Sequence, residues 1–240
     1  FKMVHLLKYP QKYNTMKTMF NLISALFLLI PSTCLAQSDQ GEIPLVQTGK
    51  IISFDLRSKD IVGSVYINEQ FIPAKISGYK GVYMVNYNAY EDEMEIEKDE
   101  KLFLLPKKND YTITFSDGSK TYKIYNYKDK DSSRNSFFMI KFTSPKAELL
   151  IKEIIMLKKE VSGDRGITSY QPPTLFRTKD AYYISFNNID AIELPRRKKD
   201  FSQLFPTNSS EIEMYVKKNK LSFSKEKDLI QILTYYNNLF

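Results

Sequence analysis

Residues 111–127, YTITFSDGSKTYKIYNY, decide the fold. Tyr111-Thr112-Ile113-Thr114-Phe115 alternates strictly between apolar and polar positions, and Lys120 to Tyr127 resumes in β-branched and aromatic residues, so both arms read as strands. Ser116-Asp117-Gly118-Ser119 joins them, with Asp-Gly a strong hairpin signal. Outward from this hairpin, short apolar runs at 51–54, 61–67, 71–76, 79–87, 94–97, 102–105 and 137–142 recur about every ten residues between polar turns. That spacing predicts an antiparallel meander that curls or doubles over. The segment 147–160, AELLIKEIIMLKKE, has helix-favouring composition but fits neither a 3.6 nor a 2.0 period, and its reading leans to two consecutive strands. A Gly- and Pro-containing stretch at 162–174, SGDRGITSYQPPT, follows as a long surface loop. A last hairpin pairs 182–186 with 189–194 through Asn187-Asn188, residues that tolerate left-handed backbone.

The tail changes period. Asn208-Ser209-Ser210-Glu211 resembles a capping box opening a helix to Asn219, with Ile212, Tyr215 and Val216 inward. A second, amphipathic helix after Ser224 carries Leu229, Ile232, Leu233, Tyr236 and Phe240 on one face. A helical turn at 200–205 precedes the pair. The expected class is α+β, mainly β: an antiparallel meander forming a curled sheet, sandwich or open barrel, with two C-terminal helices on one end or face.

At the other end, residues 16–37, MKTMFNLISALFLLIPSTCLAQ, read as a secretory signal peptide, with Lys17 as the charged n-region, 19–30 as the apolar h-region and Cys34-Leu35-Ala36 before the cleavage point. The apolar run is about 12 residues where a spanning helix needs roughly 20, which argues against an anchor. Pro31-Ser32-Thr33 lacks the Leu and small pair that a lipidated Cys34 requires. Residues 1–15, FKMVHLLKYPQKYNT, read as non-native upstream translation, or as a long n-region from Met3; both give a mature chain from Gln37. The expected organisation is therefore 16–36 signal peptide, 37–195 β-rich domain and 196–240 a helical segment packed on the sheet.

Four of the 35 Lys and Arg lie before Gln37 and none of the 28 acidic residues does, leaving 31 against 28 and a net charge of +3. A nucleic-acid partner loses its electrostatic support with that correction. The single Cys (Cys34) and single His (His5) also precede Gln37. The mature chain is thus without disulfides, thiolate or imidazole metal ligands, Cys nucleophiles and His bases. No G-x-S-x-G occurs in it, and Gly163-Asp164-Arg165-Gly166 lacks the Lys-Ser of a phosphate loop. No cofactor is expected.

Three features could carry function. Glu91, Asp92, Glu93 and Glu95, with Glu97, Asp99 and Glu100 beyond, could bind Ca²⁺ or pair as acid and base; alternation with Met94 and Ile96 instead predicts a solvated strand face. Arg196, Arg197, Lys198 and Lys199 could dock an anionic partner, against the plainer reading of a soluble loop. Tyr79, Tyr83, Tyr87, Tyr90, Tyr122, Tyr125 and Tyr127 could stack on a sugar, yet strands select aromatics for cross-strand packing and Trp is absent.

At Tyr87-Asn88-Ala89-Tyr90-Glu91-Asp92-Glu93-Met94-Glu95, at 217–237 (KKNKLSFSKEKDLIQILTYYN) and at 194–205 (LPRRKKDFSQLF), the chain resembles a family of exported, uncharacterised proteins of Bacteroidota-type bacteria. The resemblance implies export into the envelope of a two-membrane bacterium and no site residue. The leading expectation is an exported non-enzymatic protein, periplasmic or surface-associated, that binds another envelope component through loops or a sheet edge. The alternative is a periplasmic carrier of a lipid or acyl chain, and the second alternative a carboxylate-based hydrolase. The expected partners are an envelope protein, lipid or anionic surface, without nucleic acid and without a transmembrane segment after cleavage. A filled interior favours the binding protein, an apolar cavity the carrier, and a facing carboxylate pair in a cleft the hydrolase.

Overall fold

A computed structural model describes residues 43–47, 60–107, 111–129, 132–163, 169–195 and 197–239. The expected signal peptide, with His5 and Cys34 in the residues before Gln37, and the expected strand at 51–54 lie outside the described residues. The strands are β1 (Val46–Gln47), β2 (Ile72–Ile76), β3 (Tyr83–Asn88), β4 (Glu93–Lys98), β5 (Lys101–Leu104), β6 (Thr112–Phe115), β7 (Thr121–Asp129), β8 (Ser132–Thr143), β9 (Ala147–Lys152), β10 (Ile155–Lys158), β11 (Thr174–Arg177), β12 (Ala181–Phe186) and β13 (Ala191–Glu193). The helices are α1 (Lys198–Phe201), continued by a 3-10 turn at Ser202–Leu204, α2 (Ser209–Asn219) and α3 (Glu226–Asn237). Among the described residues no helix is long and apolar enough to cross a membrane.

The hairpin at 111–127 forms as read. β6 and β7 pair from Thr112↔Lys123 to Thr114↔Thr121, Gly118 has φ 71°, and the Asp117 carboxylate accepts Ser119 N–H at 2.9 Å. Eleven strands make one sheet in the order β1-β5-β4-β3-β2-β6-β7-β13-β12-β9-β8, and β8 pairs back onto β7. The last five strands therefore close into a barrel-like ring, β7-β8-β9-β12-β13, while β1 to β6 form an open wing. Four successive ring contacts are antiparallel. An odd ring built this way must close on strands of one direction, and β13 meets β7 in parallel, at the single pair Ala191↔Tyr127. A bulge in β8 between Ile140 and Phe142 bends its strand where the ring turns.

Closing the sheet gives it an inside and an outside. Inside lie Tyr125, Tyr127, Phe138, Leu150, Tyr183 and Ala191. On one outer side Tyr122, Phe137, Met139 and Ile151 pack on the wing's Ile76, Val85, Met94, Ile96, Ile113 and Phe115. On the other, Ala147, Leu149, Ile184 and Phe186 receive Leu229, Ile232, Leu233 and Tyr236 of α3 together with Ile212 and Val216 of α2. The helices thus cover a face of the sheet, as their apolar stripes predict; Phe240 lies outside the described residues.

Several expectations are corrected. Residues 61–67 make only isolated bridges, Val62↔Thr174 and Tyr66↔Asn88. Gly63 explains this: its φ is 100°, and a Cβ there would stand 2.4 Å from the Leu175 carbonyl oxygen, so the chain turns against β11 instead of extending. The expected loop 162–174 ends in β11, and a Val161↔Gln171 bridge prolongs the β10–β11 pair; residues 164–168 lie outside the described set. The leaning towards two strands at 147–160 holds, as β9 and β10. The capping box does not form, because Asn208 adopts φ 59°, ψ 30° and makes no side-chain cap.

Candidate functional site

Strand β7 has three neighbours, and a strand has only two edges. One edge runs along β8. The other pairs with β6 up to Lys123 and with β13 at Tyr127. Between Lys123 and Tyr127 that edge passes from β6 to β13. A cleft of about 700 Å³ opens at this seam, lined among others by Lys107, Lys123, Tyr125, Asn126, Asn135 and Asn188. A second cleft of about 720 Å³ flanks β13, with Tyr127, Phe186, Ala191, Ile192, Leu204 and Pro206 in its walls and Lys128, Asp190 and Glu193 beside them. The β12–β13 turn separates the two. Asn187 and Asn188 hold φ 52° and 57° as that turn requires, and Ile189, shared by both clefts, is 68% exposed.

Beneath the polar cleft the ring carries charge. Glu148, 2% exposed, accepts Lys123 Nζ at 2.7 Å, Thr143 Oγ1 at 3.2 Å and the Tyr125 hydroxyl. Tyr125 Oη also lies 3.3 Å from Asn188 Oδ1, tying the turn to the ring wall. Further in, Lys152 donates to Tyr127 Oη at 2.5 Å and sits 3.8 Å above the Tyr127 ring centroid. Burial pushes its ammonium pKa down. Phe138 meets Tyr183, Tyr127 and Tyr125 edge-on at 4.9, 5.6 and 6.1 Å. Five strands enclose less room than the eight that just accommodate filling side chains, and these aromatics occupy it.

A second charged cluster lies outside the ring. Glu153 accepts Lys120 Nζ at 3.0 Å, Arg177 at 3.0 Å and Tyr122 Oη at 2.5 Å. Asp92 accepts the Tyr87 hydroxyl at 2.8 Å, Phe137 N–H at 3.2 Å and Lys107 Nζ at 3.1 Å. Burial, then the neighbouring carboxylate, raises both phenols, Tyr87 beside Asp92 and Tyr122 beside Glu153, well above the ordinary value. Each of these carboxylates is engaged by a cation and a phenol, an arrangement suited to holding strands together.

The four acids singled out in the sequence are not gathered. Glu91 is exposed, Asp92 and Glu93 share Lys107, and Glu95 is buried away from them, bonded to Tyr66 Oη at 2.6 Å and Asn88 Nδ2 at 2.9 Å. The solvated-face reading therefore fails at Glu95: β4 has Met94 and Ile96 against the core, and the segment around Tyr66 covers its other face. Among the described residues no group of three or more His, Cys, Asp or Glu is placed to hold a metal. Of the basic run, Arg196 lies outside the described residues, Arg197 is exposed and pairs with Asp200 at 2.8 Å, and Lys198 and Lys199 fall in α1. Most of the tyrosines are spent on packing, as the rings of Tyr87, Tyr122 and Phe115 illustrate. Ser77 and Ser222 each stand three residues before a lysine, but the Ser77 hydroxyl accepts Thr112 N–H and the Ser222 hydroxyl pairs with Ser224.

Asn126, Asn135, Asn188 and Ile189 were not selected from sequence as site residues. An apolar residue directly after the Asn187-Asn188 turn was the available signal. Comparison with protein-family models, with curated proteins and with solved structures gives no match.

Proposed function

We propose that this chain is an exported, non-enzymatic binding protein of a bacterial envelope, which grips another envelope component at the seam of the ring. The carrying observation is the change of partner along one edge of β7, from β6 up to Lys123 to β13 at Tyr127, with a cleft at that seam beside the exposed Ile189. A concave site with a few convergent polar groups is where a partner's side chain or headgroup finds both area and orientation. The filled ring supports binding over carriage within the barrel. The engagement of Glu148, Glu153 and Asp92 by cations and phenols supports binding over carboxylate hydrolysis.

The test is site-specific photo-crosslinking in the native cell. Reporters at Ile189 and at Asn126 are expected to capture the same envelope component, a third at exposed Lys75 on β2 is not, and Ile189→Lys abolishes capture from Asn126 without moving the melting temperature. Identical adducts from all three positions would overturn the assignment. Export is checked separately by intact mass: the expected chain begins at Gln37, and an unprocessed cytoplasmic chain would contradict it.

A further inference from the structure

The positive charge of the protein is concentrated in its last 45 residues. Residues 196–240 hold nine Lys and Arg against five Asp and Glu, whereas 37–195 hold 22 against 23. The same segment contains a slot of about 460 Å³ between the α1–3-10 turn, α2 and the chain at 221–223. Its floor is apolar. Phe201, Ile212 and Val216 are buried, and Phe223 stacks on Phe201 at 3.9 Å and 29°. Glu213, Lys217 and Lys220 stand at its mouth. Glu213 and Lys217 pair at 2.6 Å and offset one another. Lys220 is exposed, holds the left-handed conformation that ends α2 (φ 53°), and has no ion-pair partner among the described residues. On the same helix Met214 is 64% exposed, an apolar side chain presented next to ammonium groups.

An apolar slot beneath a basic mouth suits an amphiphile with a negative head. We propose that it seats one acyl chain of an anionic phospholipid, with the headgroup against Lys217 and Lys220, so that the helical face docks the protein on an anionic leaflet. Basic residues beside the slot would draw it to an anionic leaflet, and the apolar floor would then hold the chain. The larger cleft beside β13 does not offer this combination, since Asp190 and Glu193 outnumber Lys128 there. The proposal is independent of the seam, which involves other residues.

Co-sedimentation of the protein with vesicles tests it. Partition onto phosphatidylcholine vesicles containing phosphatidylglycerol is expected to exceed that onto phosphatidylcholine alone and to weaken as salt rises. Lys217→Glu combined with Lys220→Glu lowers it about tenfold or more, from the reversal of two surface cations. Ser202→Trp, which fills the slot and leaves the charges, lowers it as well. Equal partition onto both vesicles overturns the headgroup assignment, and unchanged partition of a folded Ser202→Trp protein overturns the slot. A measurement that needs no variant is the methyl NMR spectrum of Ile212, Val216 and Leu221. Lysophosphatidylglycerol below its micelle concentration is expected to shift these signals and glycerol phosphate to leave them; the absence of shifts with both overturns the proposal.

Discussion

Lys152 occupies the inside of the ring with a phenol and two aromatic faces for company and no carboxylate within ion-pair distance among the described residues. The residue is 8% exposed. Its folded pKa lies below the unfolded value near 10.5 because burial disfavours the charge. A depressed lysine pKa is a penalty on folding, fully present below the folded value and relieved as pH rises towards 10.5. Lys152→Met keeps the apolar stem and removes the charge, so it should stabilise the protein at pH 7 by about 1–3 kcal/mol. Denaturant melts of both proteins should show that gap narrowing as the pH is raised towards 10.5. Tyr87 and Tyr122 titrate in both proteins and cancel in the difference, whereas Tyr127, which accepts from Lys152, is the phenol whose titration the substitution alters. A variant less stable than wild type at pH 7 would show that the ammonium, through its contacts with Tyr127 and Phe138, contributes more than its burial costs.

Among the elements, α3 was the plainest to read. Leu229, Ile232, Leu233 and Tyr236 follow a 3.6 period, and all four are buried against the ring. Leu233→Ala should cost about 2–5 kcal/mol, since the surrounding β-sheet cannot collapse into the space left. Thermal melts measure this, and a loss below about 1 kcal/mol would mean the helix is not docked. Short elements were harder. β11 hides in a sequence with Gly and Pro nearby, because what extends it is pairing with β10, 16 or more residues earlier in the chain. The expected strand at 61–67 failed for the converse reason: its residues favour extension, but the backbone approach of Gly63 to Leu175 decides otherwise. Local propensity is a weak prior wherever a distant strand supplies or withholds the hydrogen bonds.

For the whole molecule, the absence of Cys and His after Gln37 and the dispersal of Glu91, Asp92, Glu93 and Glu95 predict indifference to reductant, EDTA and added Ca²⁺. Melting curves of the chain from Gln37 onwards, with no addition and with each of these three, should superimpose; a rise of several degrees in Ca²⁺ would reveal a cation site. The sequence by itself determined the class of the fold, the last hairpin, the helical tail and the placement of the single Cys and single His before Gln37. These depend on composition and on periods of two and 3.6, which are local. Only the tertiary structure decided that the meander closes on itself, that Glu95 and Glu148 go inside while Ile189 stays out, and that two clefts and a basic-mouthed slot exist. Ring closure rests on β8 meeting β7 and β13 meeting β7, one contact between neighbours in sequence and the other across some 60 residues. A period cannot encode which distant edge a strand will find, because a strand's two edges are chemically the same backbone. The site lies where those edges were shared unequally.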